Sequence, residues 1–532
     1  LAPHTALETS GRRWGTADEG ATQGDPEGSP WFGISWHKYV RRLDAAVAAH
    51  GGMARFGADD GYCVGPPDVV FPALEVFERE IREHCGLHLA REKSEIFTWD
   101  GNRPPGCLPG LKQAGVMVDN TFQPGMIVYG CPCGTDSYVE HTLVEKVVEL
   151  AQRAKESCSV LGDDKQALWT TLRASLSHTF DYWLKLVHPT QIQAAAERVD
   201  AIFWGVLETS IGCAVPRNWQ NLGYETVVDV PVTALRGQSF QAWVAGLPIS
   251  KGGLGLRRQA DTSIVAYIGA LEQTIPNFNG EVGVCPQLGH LVGRPEEGEE
   301  RRWEPLVSSN CRTGRELVLA WQHLQRETRE SCTYLEKEVP EILATEVEGV
   351  GQGSLDGSTR KRLSEEREKL RAEVFKKGLT DHPDRAARAV IAWKNRDKLC
   401  TAFLMVLPGP HTSISSPQFS EALCVLMCLP SLCCRDRVGL KVGNRRVDLY
   451  GEQVVNATME GPGFIRRHDA IKLELNSMAT YCGLSSVCEP YGLFGSLLPQ
   501  RPLNRMQYRQ SGTVLRPDFL LEVPDQPAHD LP

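Results

Sequence analysis

The sequence lacks any apolar run of the about 18 residues that a membrane span requires. Its best candidate, Ala422 to Cys434, is broken by Pro430, so no membrane partner is expected. A basic excess is missing too: 57 Lys and Arg stand against 66 Asp and Glu, a net charge of -9. Avid nonspecific binders of nucleic acid are usually basic, because phosphate contacts and counterion release dominate their affinity. The charge balance argues against that class but leaves room for a local basic channel. No CxxC pair occurs among the 17 cysteines, whose number is odd and which scatter from Cys63 to Cys488. That spacing fits neither a zinc ribbon nor a disulfide framework. Buried reduced thiols that pack as small hydrophobes are expected, in a reducing intracellular compartment. Internal repeats are absent. What is present is ordinary for a folded protein: 42% hydrophobic and 23% charged residues over 532 positions, room for two to four domains. The first residue is Leu1 rather than Met and no secretory signal follows, so the chain is expected to be a piece of a longer polypeptide.

The pattern along the chain divides it. Residues 1–135 mix short β-like runs with a helix from about Phe71 to Cys85, ended by Gly86. Residues 136–235 turn helical. Leu143, Val147, Leu150 and Ala154 form one apolar stripe. A second helix is expected over Lys165–Leu186, stopping before Pro189, and a third from about Ile192. Residues 236–345 hold the run Leu247-Pro248-Ile249-Ser250-Lys251-Gly252-Gly253-Leu254-Gly255-Leu256-Arg257, whose glycines read as a tight backbone turn rather than a phosphate cradle. Residues 346–386 form a charged linker helix. Its stretch from Arg360 to Lys377 reads as a solvated face held by i,i+4 pairs. Residues 387–532 carry further apolar helices and a strand-like end.

The sharpest chemical signal is Arg55-Phe56-Gly57-Ala58-Asp59-Asp60-Gly61-Tyr62-Cys63-Val64-Gly65. Two adjacent carboxylates between short apolar runs, with a glycine after them, read as a β-hairpin tip. Asp-Gly is also a common turn dipeptide with no chemistry attached. The functional alternative is a divalent-metal site. Hard cations such as Mg²⁺ take carboxylate oxygens together with substrate phosphates, and a pair of ions stabilises both the attacking and the leaving oxygen of phosphoryl transfer.

Two further blocks flank this hairpin: Gln23-Gly24-Asp25-Pro26-Glu27-Gly28-Ser29-Pro30, a loop leading into a helix that starts at Ser29-Pro30, and Gly86-Leu87-His88-Leu89-Ala90-Arg91-Glu92-Lys93-Ser94-Glu95-Ile96, a turn feeding a strand. In this order the three resemble motifs B, C and D of the reverse-transcriptase palm: QGxPxSP, an x-A-D-D hairpin and GLxLxxxKTE. Val128 to Thr135 and Leu247 to Arg257 resemble segments that follow the palm in non-LTR retrotransposon enzymes. The resemblance implies that Asp59 and Asp60 bind Mg²⁺ (or Mn²⁺) and that Gln23 and Gly24 contact template and incoming nucleotide. By the same resemblance, Lys93 protonates the departing pyrophosphate; a surface salt bridge is its plainer role. The implied partners are an RNA template, a DNA primer and dNTP, and the implied location is the nucleus. No oligomeric state follows.

Departures from the family pattern set further expectations. The family takes another metal-binding Asp from motif A, upstream of motif B, whereas here Asp18 is the lone Asp before Glu19. Gly57 stands where the family has an aromatic residue, with Phe56 one place earlier. The chain is therefore expected to be a polymerase fragment of impaired activity, or alternatively a non-catalytic remnant that at most binds nucleic acid. Near the end, Glu489 and the Asp518 of Leu515-Arg516-Pro517-Asp518-Phe519 resemble part of a restriction-endonuclease-like domain, but the acid-x-Lys that completes that site is missing after Asp518. The zinc knuckle that precedes this domain in relatives is matched here by Gln453 and Ala457 in ligand positions, so no zinc is expected. The expected fold is α+β: a partial polymerase palm built on an antiparallel β-hairpin with helices, a helical thumb, mostly helical regions, and a small α/β C-terminal region.

Overall fold

The computed structural model describes residues 28–57, 60–217, 230–278, 312–344, 358–381, 401–409, 412–455, 457 and 473, with four strands nearer the termini. Of the residues singled out in the sequence, Gln23, Gly24, Asp59, Glu489 and Asp518 lie outside these, as does the acidic cluster at 296–300. The fold is α+β, mostly helical with small sheets. The chain packs as two units. One comprises Leu1–Gly162, Leu168–Thr209 and Pro216–Leu404; the other comprises Asp163–Ala167, Ser210–Val215 and Met405–Pro532.

The first unit opens with strands β1 (His4–Leu7) and β2 (Arg13–Ala17), an antiparallel pair. Helix α1 (Gly28–Ala48) follows, then the hairpin of β3 (Met53–Gly57) and β4 (Asp60–Val64), then helix α2 (Pro67–Cys85). Trp36, Leu43 and Val47 of α1, Ala54 of β3, and Val70, Phe77 and Ile81 of α2 share one apolar core. Helix α2 begins four residues before the expected Phe71, with Pro67 in its first turn where a missing N–H does no harm. It ends at Gly86, as the sequence requires.

Strand β5 (Glu95–Ile96) pairs in parallel with β6 (Lys112–Gln113). Strands β7 (Gly115–Val118), β8 (Thr121–Val128) and β9 (Cys131–Gly134) form an antiparallel meander. Helix α3 (Asp136–Leu161) starts at Thr135, whose hydroxyl caps the Tyr138 N–H, and buries Leu143, Val147, Leu150 and Ala154.

The single helix expected over Lys165–Leu186 is instead two, α4 (Lys165–Ala174) and α5 (Asp181–Leu186), separated by a 3₁₀ turn at Leu176–His178. Ser177 and Thr179 donate their hydroxyls to the carbonyls of Arg173 and Ser175. Such side-chain competition for backbone groups weakens a helix. Helix α6 (Pro189–Ile211) starts at the proline that was expected to lie before it.

Helix α7 (Phe240–Gly246) is capped by Ser239 and leads into the glycine-rich turn, which has the tight geometry the sequence predicts. Gly252 and Gly255 have φ of 81° and 76°, and a Cβ on Gly253 would lie 2.0 Å from the Leu247 carbonyl oxygen. The N–H groups of Leu254, Gly255 and Leu256 donate to the carbonyls of Val244, Leu247 and Ala245, satisfying the end of α7.

Helices α8 (Gln259–Phe278), α9 (Arg312–Leu335) and α10 (Ser358–Asp381) then share a core that includes Ile268, Leu317, Trp321, Leu324, Leu363 and Leu370. Here the structure corrects the solvated face expected for Arg360–Lys377. Arg367 is buried against Glu327 at 2.6 Å, and Arg371 reaches Glu327 at 2.6 Å and Asp261 at 2.9 Å. Charges packed this way survive burial because each has partners.

In the second unit, helix α11 (Ser416–Leu426) buries Phe419, Leu423 and Cys424. The buried Gln166 binds the loop before it, donating to the carbonyls of Val406 and Thr412 and accepting from the Ile414 N–H at 2.7 Å. Beyond α11, strands β10 (Lys441–Val442) and β11 (Arg445–Arg446) form a short hairpin. Gln453, the residue in a ligand position of the zinc-knuckle pattern, accepts from Arg445 at 2.8 Å, and its N–H donates to Asp448. Ala457 is buried. Strands β12 (Ser485–Cys488) and β13 (Phe519–Glu522) pair antiparallel; Glu489 directly follows the first in sequence and Asp518 directly precedes the second. Among the described residues, no helix is long and apolar enough to cross a membrane. Of the described cysteines, Cys332, Cys424 and Cys428 are buried, whereas Cys133 and Cys433 are exposed.

Candidate active site

The β3–β4 register pairs Gly57 with Asp60, so residues 58 and 59 form the two-residue connection and Asp60 is the first residue of β4. Helix α1 anchors the base of this hairpin. The Asp44 carboxylate accepts from the Ala54 N–H at 2.9 Å and from Arg55 Nη1 at 2.9 Å. Nearer the tip, the Phe56 ring crosses its partner Gly61, where a Cβ would lie 2.1 Å from Phe56 Cε1. The same ring meets Trp36 edge-on at 5.1 Å and Phe77 at 5.6 Å. One face of the hairpin is thereby fixed to both helices, and Asp60 is exposed at its free end. Among the described residues, Asp60 makes no ion pair.

A second hairpin meets the first. Tyr129 and Gly130 link β8 to β9, with φ of 48° and 78°, the double left-handed turn that matches strand twist. Tyrosine is strained in that region. Three aromatic side chains hold it there. Its N–H donates to the Tyr62 hydroxyl at 3.0 Å, its carbonyl accepts from the Tyr182 hydroxyl, and the Gly130 carbonyl accepts from Trp183 Nε1 at 2.9 Å. The Tyr62 and Tyr129 rings lie 4.6 Å apart. Burial, then the negative potential of Tyr62 and Asp60, pushes the Tyr129 phenol above its usual value. Strain held in place by several independent contacts is a mark of functional sites.

Lys93 sits in a 3₁₀ turn, Arg91–Lys93, just before β5. That turn is pinned to α2 because Arg91 grips the buried Glu78, its Nε at 3.0 Å, while Arg82 takes the other carboxylate oxygen at 3.0 Å. Lys93 itself is exposed. Among the described residues, no hydrogen bond or ion pair joins it to Asp60.

The donors fit a hard cation. Asp60 offers an exposed carboxylate that no positive side chain pairs with among the described residues, and the adjacent Asp59 has the same chemistry. Among the described residues, no three His, Cys, Asp or Glu side chains gather as a metal cluster. Sequence reasoning missed the Tyr62–Tyr129–Tyr182 group. Its only local signal is the Tyr-Gly pair at 129–130 between two strand-like runs. Comparison with family models, characterised proteins and solved structures finds no significant match.

Proposed function

We propose that the chain carries the nucleotidyl-transfer hairpin of a reverse transcriptase of the non-LTR retrotransposon type, acting on an RNA template, a DNA primer and dNTP. The observation that supports this most is the exposed Asp60, without an ion pair among the described residues, at the free end of a hairpin clamped by two helices and met by a strained tyrosine turn. Asp59 and Asp60 would hold Mg²⁺ or Mn²⁺, which supplies neutralising charge to the phosphates in transfer. The Tyr62 and Tyr129 rings offer a flat surface against which a base or sugar of the growing strand can rest. Lys93 supplies the proton to the leaving pyrophosphate. The helices within residues 136–235 take the role of a thumb, the strands next to Glu489 and Asp518 that of an endonuclease-like remnant without its own activity, and the location is nuclear.

No residue of this chain matches the motif A aspartate, so primer extension by the chain alone is expected to be weak. The test therefore reads the metal as well as the product. Purified protein is titrated with Mn²⁺ by electron paramagnetic resonance, beside primer extension and a gel-shift assay on a primed RNA. Asp59→Asn with Asp60→Asn should lose bound Mn²⁺ and any extension, yet keep nucleic-acid binding. Equal Mn²⁺ binding by variant and wild type overturns the reading. A wild type that binds primed RNA but neither Mn²⁺ nor dNTP is the non-catalytic remnant.

A further inference from the structure

The glycine-rich turn closes one side of a cavity of about 70 Å³ in the first unit, apart from the tyrosine and aspartate hairpins. Helix α7, the start of α8 and the middle of α10 form the other walls. The polar side chains that line it include Trp243, Arg257, Arg258, Asp261, Glu368 and Arg371.

Among the described residues, two of these side chains present buried donors with no hydrogen-bond partner. Trp243 is only 3% exposed, and its ring is fixed by stacking on Phe375 at 5.0 Å, yet its Nε1 has no hydrogen-bond partner among the described residues. Buried indole N–H groups ordinarily find one. The Arg371 guanidinium is held on two edges: Nε donates to Glu327 at 2.6 Å and Nη1 to Asp261 at 2.9 Å. Its third nitrogen, Nη2, is buried and likewise lacks a partner among the described residues. Because two carboxylates fix the plane of the group, the direction of Nη2 is fixed with it. Arg367, by contrast, spends its donors on Glu327 and the Asp261 carbonyl.

Arg257 and Arg258 stand nearer to solvent, their side chains 55% and 42% exposed. Arg257 pairs with Glu368 at 3.1 Å and Arg258 only loosely with Asp261 at 3.6 Å. Four guanidinium groups thus line a cavity that receives two carboxylates, Asp261 and Glu368, with Glu327 behind them. The balance stays positive. Each orphan is destabilising, and two of the unpartnered buried polar atoms among the described residues belong to side chains that line this one cavity. Two orphan donors at one positively charged cavity call for an acceptor with several oxygens.

We infer that this cavity binds a tetrahedral oxyanion, a phosphoryl group, which accepts from Trp243 Nε1 and Arg371 Nη2 and enters past Arg257 and Arg258. The volume corresponds to about five waters, enough for one phosphoryl group. The group belongs either to a small phosphate or to the end of a nucleic-acid strand. The site stands whether or not the Asp60 hairpin transfers nucleotides.

The experiment uses the full chain in two arms at constant ionic strength. In the first, inorganic phosphate and pyrophosphate are titrated by calorimetry and thermal unfolding, with chloride as reference. In the second, a short oligonucleotide with a 5′-phosphate is compared with its 5′-hydroxyl form by fluorescence anisotropy. Trp243→Phe is the decisive variant, because it keeps the ring on Phe375 and removes only the N–H. It should weaken binding by about tenfold, the usual loss for one hydrogen bond to a charged group. Arg371→Lys should weaken it as well, and circular dichroism checks that the Glu327 network still folds. A preference for free pyrophosphate identifies a small molecule as the source, and a 5′-phosphate dependence identifies a strand end. The inference is overturned if neither probe exceeds its reference, or if Trp243→Phe binds as tightly as wild type.

Discussion

The Tyr129 ring occupies the space that a side chain on Gly57 would need: a Cβ there would lie 2.7 Å from Tyr129 Cε1 and 3.0 Å from its hydroxyl. Gly57 is the position where the reverse-transcriptase pattern carries an aromatic residue. Here an aromatic ring packs over Gly57 from another hairpin, across 72 positions of sequence.

This pairing is testable by a double-mutant cycle. Gly57→Ala should destabilise by about 1–2 kcal/mol, because the tied Tyr129 backbone lets the ring yield only by leaving Tyr62. Tyr129→Gly removes both the ring and the left-handed strain, and Gly57→Ala in that background should have little effect. Urea unfolding of the four proteins measures this. An unchanged effect of Gly57→Ala would show that the two sites do not interact.

The hold on the tyrosine turn is expected to be shared. Tyr182→Phe removes the donor to the Tyr129 carbonyl and Trp183→Phe the donor to Gly130. Each should lose about 1 kcal/mol. Amide hydrogen exchange over residues 128–131 should speed up in both, with global unfolding shifted less than local opening.

Glu327 is the buried hub between Arg367 and Arg371, and removing its charge leaves two guanidinium groups short of a partner. Glu327→Gln should destabilise by about 3–5 kcal/mol, as breaking a buried ion pair does. Burial pushes this carboxyl up, but Arg367 and Arg371 outweigh burial and hold it far below its usual value. Its contribution is therefore present above the unfolded value near 4.5 and lost as pH falls below it. Acid unfolding should shift to higher pH in the variant.

Asp200 on α6 works in the opposite sense. Its carboxylate accepts from the N–H groups of Gln259 and Ala260 at 2.6 and 3.2 Å, capping the start of α8. Burial pushes its pKa up to about 7 from the usual 3.8. The folded chain then keeps a proton that the unfolded chain has already lost. Stability from this group is complete below about pH 3.8 and is lost as pH rises through about 7. Asp200→Asn keeps an acceptor without a charge, so its thermal midpoint relative to wild type should improve from pH 4 to pH 8. A constant difference across that range would rule out titration of Asp200.

Much of the local architecture was legible from the chain. The acid hairpin followed from the adjacent Asp59 and Asp60 between short apolar runs, with Gly61 directly after them, and the end of α2 from Gly86. The buried stripe of α3 followed from its period, and the turn at Gly252–Gly255 from residues that alone tolerate such φ angles. Legibility stopped where partners are distant. Arg367 and Arg371 look like surface residues in any local window, because Glu327 lies 40 and 44 positions away. Tyr129 meets Tyr62 across 67 positions and Tyr182 across 53. The break between α4 and α5 is an intermediate case: serines and threonines signal it, but apolar periodicity conceals it.

Sequence alone determined the end of α2, the buried stripe of α3 and the tight turn at Gly252–Gly255, since backbone sterics and periodicity act over a few residues. Tertiary structure decided which charges are buried, which ring fills the space over Gly57, and which donors at the Trp243 cavity are left without acceptors. Those outcomes depend on contacts between segments tens of residues apart, whose register no local pattern specifies.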